Sequence, residues 1–290
     1  MSNEYKLING IKIAEKIKDE IVKEIIKLPS RPNLAIILIG DNKESCLYVN
    51  IKEREARKVG VDTHLYKCAE NISENEILKM IDCLNRDNLI DGILVQLPLP
   101  KKFNTDKIIK AISKEKDVDF FHPENLKLLT ISHKNIKILP PVFGASMAIL
   151  QDIKCKIKNK KICIIANSDI FGKNFAKFLN CLGAQAETTK IGDKNLTDKT
   201  KNADILISAV GRKHFIKKEM IKEGAALIDV GIVKEDKKIY GDIDAEDVKE
   251  KAGFLTPVPG GVGPLTIAML FQNTLELYKI HKNINHHLLL

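Results

Sequence analysis

The sequence contains no tryptophan, and aromatic residues make up only 5% of its 290 positions. Lys and Arg exceed Asp and Glu, leaving a formal net charge of +9, but the basic residues are scattered among many acidic ones. Nucleic-acid surfaces usually combine clustered basic residues with aromatic side chains that stack on bases. We therefore predict no nucleic-acid partner, although a basic surface remains compatible with a small polyanionic ligand.

Long apolar runs are also missing. No segment approaches the roughly 18 to 20 apolar residues that a membrane span needs. The first residues, Met1–Lys6, lack the basic stretch and apolar core of a secretory signal. We therefore expect a cytoplasmic protein that has no membrane partner.

The six cysteines include no C-x-x-C pair, and the seven histidines offer no spaced set of metal ligands. Several cysteines lie in apolar runs, as Cys163 does in Lys161–Ile165. Such residues are usually reduced, buried and small-hydrophobic in character. We therefore predict neither a disulfide framework nor a metal site.

The length of 290 residues favours two domains, and the first half alternates apolar strands with amphipathic helices. Short turns between such elements predict a parallel α/β structure. The predicted elements are a helix over 11–28, a strand over 34–39, a helix over 44–58 ended by Gly60, a strand over 61–67, a helix over 73–86 with a capping box from Ser73 and Glu76, and a strand over 92–97.

The second half repeats the pattern after a loop-rich passage over 116–141. Two of its strands end at Gly211 and Gly231, as in a mononucleotide-binding sheet whose glycines face the ligand. The predicted elements are a strand over 161–166, a tight turn over 167–172, a helix over 172–182, strands over 185–189, 203–210 and 225–230, and a final helix over 265–281.

Tyr48 and Lys52 are four residues apart and share one face of the predicted helix. A phenol beside an ammonium whose pKa is depressed by burial suits acid–base chemistry near neutral pH. A partly exposed tyrosine stacked on a lysine stem explains the same spacing. The pair alone does not decide between these interpretations.

Two further polar residues are ambiguous when considered singly. Gln96 interrupts an apolar strand at its carboxyl end, where α/β ligand sites lie, but a buried amide also needs structural partners. Asp119 can hold an aminopyrimidine ring through two hydrogen bonds, or it can simply stabilise a turn.

The segment Thr256–Pro264 holds three prolines and three glycines in nine residues. Prolines restrict its backbone, and glycines leave no side chain over it. A predicted helix follows at once, so free N–H groups at its start face whatever lies over the loop. A binding loop explains this composition better than a stiff linker does.

Together these segments resemble the bifunctional methylenetetrahydrofolate dehydrogenase/methenyltetrahydrofolate cyclohydrolase family. The resemblance covers nearly the whole chain. The motifs that carry it, in chain order, are Ser45-x-x-Tyr48-x-x-x-Lys52, Gly92–Pro100, Lys116–Asp119, Ala203-Asp-Ile, Ile228–Ile232, Gly241-Asp and Thr256–Thr266. One such motif can occur by chance, whereas the full ordered set is specific.

The resemblance implies a two-domain α/β fold, with an N-terminal folate domain, a C-terminal Rossmann-like domain and a cleft between them. The expected boundaries are 1–120 plus 266–290 for the folate domain and 121–265 for the Rossmann-type domain. It also implies a homodimer that acts on tetrahydrofolate derivatives. The implied activity is oxidation of methylenetetrahydrofolate with NADP, then hydrolysis of the methenyl product to formyltetrahydrofolate in the same site.

Residue roles follow from the same resemblance. Lys52 is the implied central catalytic group, assisted by Gln96, while Tyr48 stacks on the pterin and Asp119 holds the pterin ring. Further folate contacts are implied for Val95, Leu97, Pro259, Gly260 and Gly261. Nucleotide contacts are implied for Ala166, Asn167, Ser168, Gly172, Gly211, Gly231, Ile232, Gly263 and Thr266.

The departures from the family pattern cluster on the nucleotide side. Asn167 stands where an arginine is usual, Asn174 where a proline is usual, and Thr189–Asp193 replaces a Cys-His-Ser-x-Thr stretch. Both places normally hold the 2′-phosphate of NADP, and an amide cannot replace a bidentate guanidinium there. Lys190 or Lys194 can compensate as a point charge.

Other departures lie near the domain boundary. Phe120 and Lys127 stand where glycines are usual, and Leu139–Gly144 replaces a Pro-Cys-Thr-Pro-x-Gly stretch. Three hypotheses remain: the bifunctional NADP enzyme, an NAD-dependent or mainly cyclohydrolase variant, and a non-catalytic folate- or nucleotide-binding relative. The presence of Tyr48, Lys52, Gln96 and Asp119 argues against the third.

Overall fold

The computed structural model describes residues 6–131, 136–236 and 238–284. The chain forms two compact units, each assembled from two separate stretches of sequence. Among the described residues, the three-stranded unit comprises 15–131, 136–141 and 267–284, and the six-stranded unit comprises 6–14, 142–236 and 238–266. Helices α1 (Gly10–Ile25) and α10 (Val262–His281) each run from one unit into the other.

The three-stranded unit is built around a parallel sheet. Its strands are β2 (Asn33–Ile39), β3 (Asp62–Cys68) and β4 (Gly92–Val95), and its helices are α2 (Lys43–Val59), α3 (Glu74–Arg86), α4 (Thr105–Ala111) and α5 (Pro123–Ile131). The strand order is β3-β2-β4, with β2 in the centre. Central strand β2 is buried almost throughout, as its apolar sequence predicts.

Local sequence signals set the ends of the helices in this unit. Asn42 begins α2 by accepting hydrogen bonds from two backbone N–H groups, and Gly60 ends it with a φ of 85°. Ser73 and Glu76 form the reciprocal capping box at the start of α3. The predictions for Gly60, Ser73 and Glu76 are therefore confirmed.

The prediction of a loop-rich passage over 116–141 is partly wrong, because the passage contains α5. Pro123 occupies the first position of α5, where a missing N–H costs nothing. Within this helix, Asn125 and Leu129 are buried. At nine residues, α5 is too short to show a clear helical period in the sequence.

The six-stranded unit contains a parallel sheet of order β1-β11-β8-β7-β5-β6. The strands of this sheet are β1 (Lys6–Leu7), β5 (Lys161–Ala166), β6 (Gln185–Thr189), β7 (Ile205–Ala209), β8 (Ala226–Asp229) and β11 (Phe254–Leu255). The remaining elements are α6 (Pro141–Asp152), α7 (Asp169–Cys181), α8 (Leu196–Lys201), a 3-10 turn (Lys218–Met220), the antiparallel pair β9 (Val233–Glu235) and β10 (Lys238–Tyr240), and α9 (Ala245–Val248).

Two helices begin earlier than the sequence predicts. Helix α7 begins at Asp169 instead of Gly172, because the Ser168 hydroxyl accepts a hydrogen bond from the backbone N–H of Phe171 and caps the helix. Helix α10 begins at Val262, so Pro264 lies in its first turn, where proline is tolerated. Most of the predicted turn over 167–172 is therefore helical.

The boundaries of the two compact units differ from the expected domain boundaries in two places. The first residues belong to the six-stranded unit because β1 pairs with β11. Residues 121–141 belong to the three-stranded unit, where Asn273 on α10 donates hydrogen bonds to the carbonyls of Val118 and Leu139. The functional boundaries at 120 and 266 stay a proposal.

Within the described ranges, no helix combines the length and the apolar character that crossing a membrane requires. In the same part of the chain, no three His, Cys, Asp or Glu side chains converge in a way that could hold a metal ion.

Candidate active site

Helix α2 and the carboxyl end of β4 form a polar cluster in the three-stranded unit. Ser45, Tyr48 and Lys52 are spaced three and four residues apart on α2 and share one helical face. Gln96 directly follows β4, and its backbone N–H donates to the carbonyl of Ile37 at 2.9 Å. The carboxyl edge of a parallel sheet is where ligand sites of α/β proteins lie.

A hydrogen bond joins the two predicted acid–base residues. Lys52 Nζ donates a hydrogen bond to Gln96 Oε1 at 2.8 Å. Gln96 is buried, with only 8% of its surface exposed. The other amide atom, Nε2, donates to the carbonyl of Leu97 at 2.5 Å. Because Nε2 is held by Leu97, the amide presents its acceptor oxygen to Lys52 and fixes the position of the amine.

Burial shifts both charged groups of the cluster toward their neutral forms. It lowers the pKa of Lys52, and the charge of Asp119 only partly offsets this. Burial also raises the pKa of Asp119 to about 6, against the attraction of Lys52 and with a contribution from Asp117. An amine with a lowered pKa can take up and return a proton, which is the property acid–base catalysis needs.

Tyr48 is half-buried beside Lys52. Burial raises the pKa of its hydroxyl, and the nearby Glu44 carboxylate adds to this effect. The ring therefore stays a neutral phenol with a flat face, which suits stacking against a planar heterocycle.

The turn that carries Asp119 is held by residues that the sequence analysis did not select. The Asp117 carboxylate accepts hydrogen bonds from the backbone N–H of His122 at 2.7 Å and from Asn125 Nδ2 at 3.2 Å. Asn273 Nδ2 binds the carbonyl of Val118 at 2.8 Å.

Ser45 is the remaining residue of the Ser45-x-x-Tyr48-x-x-x-Lys52 motif, and the sequence analysis assigned it no role. It is 3% exposed, and its Oγ is the one buried side-chain polar atom among the described residues that lacks a hydrogen-bond partner. A buried hydroxyl without a partner is unfavourable. Its helical face is that of Tyr48 and Lys52, so a bound molecule there could supply the partner.

The predicted nucleotide-binding residues lie in the six-stranded unit. Ala166 ends β5, Asn167 and Ser168 form the turn, and Gly172 lies in the first turns of α7. A side chain at Gly172 would overlap Thr188 on β6, so this glycine allows close packing of helix on strand. The Asn167 amide Nδ2 donates to the carbonyl of Val210 at 2.9 Å and joins the turn to the end of β7.

Two of the predicted nucleotide-binding glycines have open space where a side chain would be. Gly211, after β7, has a φ of 65°, and nothing lies within 4 Å of its side-chain position. Nothing lies within 4 Å of the corresponding position at Gly263 either, which is in the first turn of α10 and whose carbonyl accepts the Thr266 hydroxyl at 2.8 Å. Open backbone of this kind fits the close approach of a dinucleotide, at Gly263 beside a helix N-terminus.

Gly231 differs from these two, because its side-chain space is filled by the carboxylate of Asp242. Ile232, the next residue, is 45% exposed. The contact of Gly231 with a nucleotide stays a prediction, while its need to be glycine is already explained by packing.

The glycine- and proline-rich segment is tightly packed against its own chain. A side chain at Gly261 would overlap the Pro257 carbonyl, and one at Gly10 would overlap the Gly261 carbonyl. Gly260 has a φ of 102°, and the bond before Pro259 is cis. The contacts of this segment with folate stay a prediction.

Comparison with known proteins extends this interpretation to the whole chain. The model of the tetrahydrofolate dehydrogenase/cyclohydrolase catalytic domain matches residues 8–119, and the model of the NAD(P)-binding domain of the same family matches residues 140–282. This chain belongs to the tetrahydrofolate dehydrogenase/cyclohydrolase family.

Relatives cover nearly the full length. The chain is 42% identical to the bifunctional protein FolD of Listeria innocua, over 94% of this chain and 97% of the relative. It is similar to the crystal structure of FolD methylenetetrahydrofolate dehydrogenase/cyclohydrolase from Campylobacter jejuni, with a TM-score of 0.90, 38% identity and coverage of 96% and 99% of the two chains. A Trypanosoma brucei FolD structure, complexed with NADP cofactor and inhibitor, matches with a TM-score of 0.90, 30% identity and coverage of 96% and 98%.

Family membership confirms the predicted two-domain α/β fold, with a catalytic domain and an NAD(P)-binding domain. It also confirms the predicted enzyme class, a bifunctional dehydrogenase and cyclohydrolase of one-carbon folate metabolism. The hypothesis of a non-catalytic relative is not supported.

The structure accommodates the departures near the domain boundary in different ways. Lys127 lies within helix α5, where lysine is a better helix former than glycine. Phe120 is 4% exposed and adopts a φ of 58°, a backbone conformation that favours glycine. Phe143 of the altered Leu139–Gly144 stretch stacks on Phe175 with ring centroids 4.1 Å apart.

Lys190, which belongs to the altered Thr189–Asp193 stretch, takes part in an ion-pair cluster at the nucleotide turn. Lys190, directly after β6, pairs with Asp169 Oδ1 at 2.8 Å, and Lys173 pairs with Asp169 Oδ2 at 3.2 Å. The neighbouring Asp193 accepts hydrogen bonds from Thr189 and Lys199 at 2.8 and 2.7 Å. Two lysines therefore share one carboxylate, so the Asp169 cluster carries a net positive charge.

Proposed function

We propose that Lys52, Gln96 and Asp119 perform the folate chemistry of this enzyme, with NADP as the hydride acceptor. The observation that carries the proposal is the Lys52–Gln96 hydrogen bond, together with the lowered pKa of Lys52. A fully charged amine would repel the cation formed in the reaction, and the lowered pKa of Lys52 shifts this group toward its neutral form.

In the first step, a hydride leaves the methylene bridge between two folate nitrogens, and the substrate becomes a methenyl cation. NADP, when bound, accepts that hydride. Lys52 contributes by adding little positive charge beside the developing cation. Asp119, ionised above a pKa of about 6, accepts hydrogen bonds from the aminopyrimidine ring and fixes the substrate.

In the second step, water attacks the methenyl carbon. Neutral Lys52 takes the proton from that water, and Gln96 Oε1 holds the resulting ammonium in place. As the bond from that carbon to one folate nitrogen breaks, the Lys52 ammonium returns the proton to the departing nitrogen. The hydroxyl left on the carbon releases its own proton to solvent, and its oxygen becomes the carbonyl of the formyl product. Tyr48 supports both steps by stacking on the pterin.

The preference for NADP is supported by the ion-pair cluster around Asp169. In Rossmann-type sites an acidic residue near the end of the second strand binds the ribose 2′-hydroxyl of NAD, whereas a basic one accommodates the 2′-phosphate of NADP. Here Lys190 follows β6 directly, while Asp193 is already bound by Thr189 and Lys199. We assign the 2′-phosphate to Lys190, which exchanges the Asp169 carboxylate for the phosphate.

A three-part assay tests the proposed function. Methenyl formation from methylenetetrahydrofolate is followed by absorbance with NADP and then with NAD, and methenyl hydrolysis is followed without nucleotide. The proposal expects turnover in the NADP and hydrolysis assays, and weaker turnover with NAD. Hydrolysis without dehydrogenation would indicate a mainly cyclohydrolase enzyme, and faster turnover with NAD would contradict the assignment of Lys190.

We also propose a cytoplasmic homodimer. All six cysteines are free thiols, as expected in a reducing compartment. Strand β6 lies at the edge of the six-stranded sheet, where the Asn180 side chain binds the backbone of Ala186 and the rest of the edge can bind a second copy. Sedimentation equilibrium tests the dimer, and a monomer at micromolar concentration would contradict it.

A further inference from the structure

Two buried aspartates lie beneath the carboxyl edge of the six-stranded sheet. Asp242 is fully buried. Its Oδ2 accepts hydrogen bonds from Ser208 Oγ and from the backbone N–H of Val210, both at 2.8 Å, and its Oδ1 accepts from the backbone N–H of Arg212 at 2.7 Å. Asp242 therefore binds the peptide groups on both sides of Gly211.

Asp229, at the end of β8, is 2% exposed and forms an equivalent set of bonds. Its Oδ1 accepts from the backbone N–H groups of Gly231 and Asp242 at 3.0 Å, and its Oδ2 accepts from that of Ile243 at 2.8 Å. Its own backbone N–H donates to Thr256 Oγ1 at 2.7 Å. The two aspartates thus connect the loops that follow β7, β8 and β11.

The aspartates and two glycines fit each other reciprocally. A side chain at Gly231 would overlap the carboxylate of Asp242, and a side chain at Gly241 would overlap the carboxylate of Asp229. The Asp229 carboxylate therefore lies over Gly241, which directly precedes Asp242, and the Asp242 carboxylate lies over Gly231, which follows Asp229 by two residues. This arrangement fixes the separation of the two loops and leaves no room for either to slide.

Two carboxylates buried so close together are costly unless they are hydrogen-bonded. Burial raises the pKa of Asp229 to about 7, and the charge of Asp242 adds to the effect, while the backbone bonds from Ile243, Asp242 and Gly231 oppose it. An apolar pair would fill the same space without this cost. The benefit that remains is a defined backbone geometry at the sheet edge.

We propose that Asp229 and Asp242 are positioning residues of the nucleotide site, and that they hold Gly211, Gly231 and the Thr256 segment in the geometry that binds the dinucleotide. Neither carboxylate touches the ligand. This inference rests on the proposed function, because it assumes that the six-stranded unit binds NADP.

Nucleotide affinity tests the role of Asp242 directly. The dissociation constant for NADPH is measured by its fluorescence for the wild type and for Asp242→Asn, alongside methenyl hydrolysis without nucleotide. An asparagine replaces one acceptor oxygen by an N–H₂ group that faces a donor. We expect NADPH binding to weaken at least tenfold while hydrolysis stays within twofold, a separation that general unfolding would not produce.

Asp204→Asn is the matched control. Asp204 directly precedes β7, so it lies at the opposite end of that strand from Gly211. Its carboxylate accepts a hydrogen bond from the backbone N–H of Lys161 at 2.9 Å and pairs with Lys222 at 2.7 Å. Its loss removes comparable bonds from the same sheet, so NADPH affinity should stay unchanged. Equal weakening in both variants would show that any damage to the sheet matters, and would overturn the inference.

Ser208→Ala provides a milder test if Asp242→Asn does not fold. It removes only the hydroxyl bond to Asp242 and should weaken NADPH binding severalfold, with unchanged affinity contradicting the inference. Wild-type protein that binds neither NADPH nor NADH would overturn the proposed function together with the inference. Normal wild-type binding with an unaffected, folded Asp242→Asn would overturn the inference alone.

Discussion

The two units present different kinds of chemical group at their proposed ligand sites. In the three-stranded unit, the residues proposed to bind the substrate act through their side chains, and burial shifts the pKa values of Lys52 and Asp119. In the six-stranded unit, the groups proposed to bind the ligand are backbone groups, which no side chain covers at Gly211 and Gly263. Backbone can bind a nucleotide almost whatever the neighbouring side chains are, whereas proton transfer requires particular side chains. This difference explains why the departures from the family concentrate on the nucleotide side.

Replacing Lys52 by alanine should give the largest difference between the activity attributed to the three-stranded unit and the nucleotide affinity attributed to the six-stranded unit. Loss of a positioned acid–base group typically costs about 10²–10⁴-fold in rate, so methenyl hydrolysis should fall by at least about 100-fold. NADPH affinity should stay unchanged, because its predicted contacts lie in the six-stranded unit. The control is Lys58→Ala on the same helix, whose exposed amine pairs with Glu55. Similar hydrolysis in both variants would remove Lys52 from the mechanism.

Phe120→Gly tests a departure in the three-stranded unit. Removing a buried phenylalanine costs about 3–5 kcal/mol, while relieving a positive φ returns about 1 kcal/mol. Packing therefore wins, and urea unfolding should show a loss of about 2 kcal/mol or more. Asn159→Gly in the six-stranded unit is the matched control, since Asn159 has a φ of 63° but an exposed side chain. A more stable Phe120→Gly variant would mean that strain outweighs packing.

Lys190→Ala tests the departure on the nucleotide side. The ratio of NADH to NADPH dissociation constants should fall about five- to tenfold, because a charge-assisted bond to the 2′-phosphate is lost at an exposed site. Lys194→Ala, four residues further on, should leave the ratio unchanged. If Lys194→Ala alone lowers the ratio, the 2′-phosphate assignment belongs to that residue.

The smallest expected effect is on the pH dependence of stability. Because the pKa of Asp119 is raised to about 6 in the folded protein, the folded state holds a proton that the unfolded state has already released. The contribution of Asp119 to the free energy of unfolding is therefore fully present at low pH and is lost as the pH rises toward 6. Thermal melts between pH 4 and 7 should show a shallower decline for Asp119→Asn, and an identical decline would contradict the shift.

Sequence alone predicted the elements that have strong local signals. The burial of β2, the capping box of Ser73 and Glu76 and the Gly60 terminus all follow from a few neighbouring residues. The side chains of Lys52 and Gln96 could be named in advance, but their hydrogen bond joins positions 44 residues apart. Such a pairing depends on the folded sheet.

What the sequence could not predict depends on distant contacts or weak periodicity. Helix α5 is short and was missed. The Asp229–Asp242 network was also missed, although both residues lie in motifs quoted for the family resemblance. Its meaning depends on two glycines and two carboxylates that come together only after four strands have paired. An acid beside a glycine is too common a pattern to indicate such an arrangement.

The pairing of β1 with β11 has a consequence for synthesis of the chain. Lys6 and Leu7 are synthesised long before their partners Phe254 and Leu255, which lie about 250 residues further along the chain. At typical elongation rates β1 waits roughly 10 to 50 s for its neighbour. The three-stranded unit likewise lacks its part of α10 until the residues from Ile267 onward have been made. Neither unit can therefore complete its native structure before β11 and α10 have been synthesised.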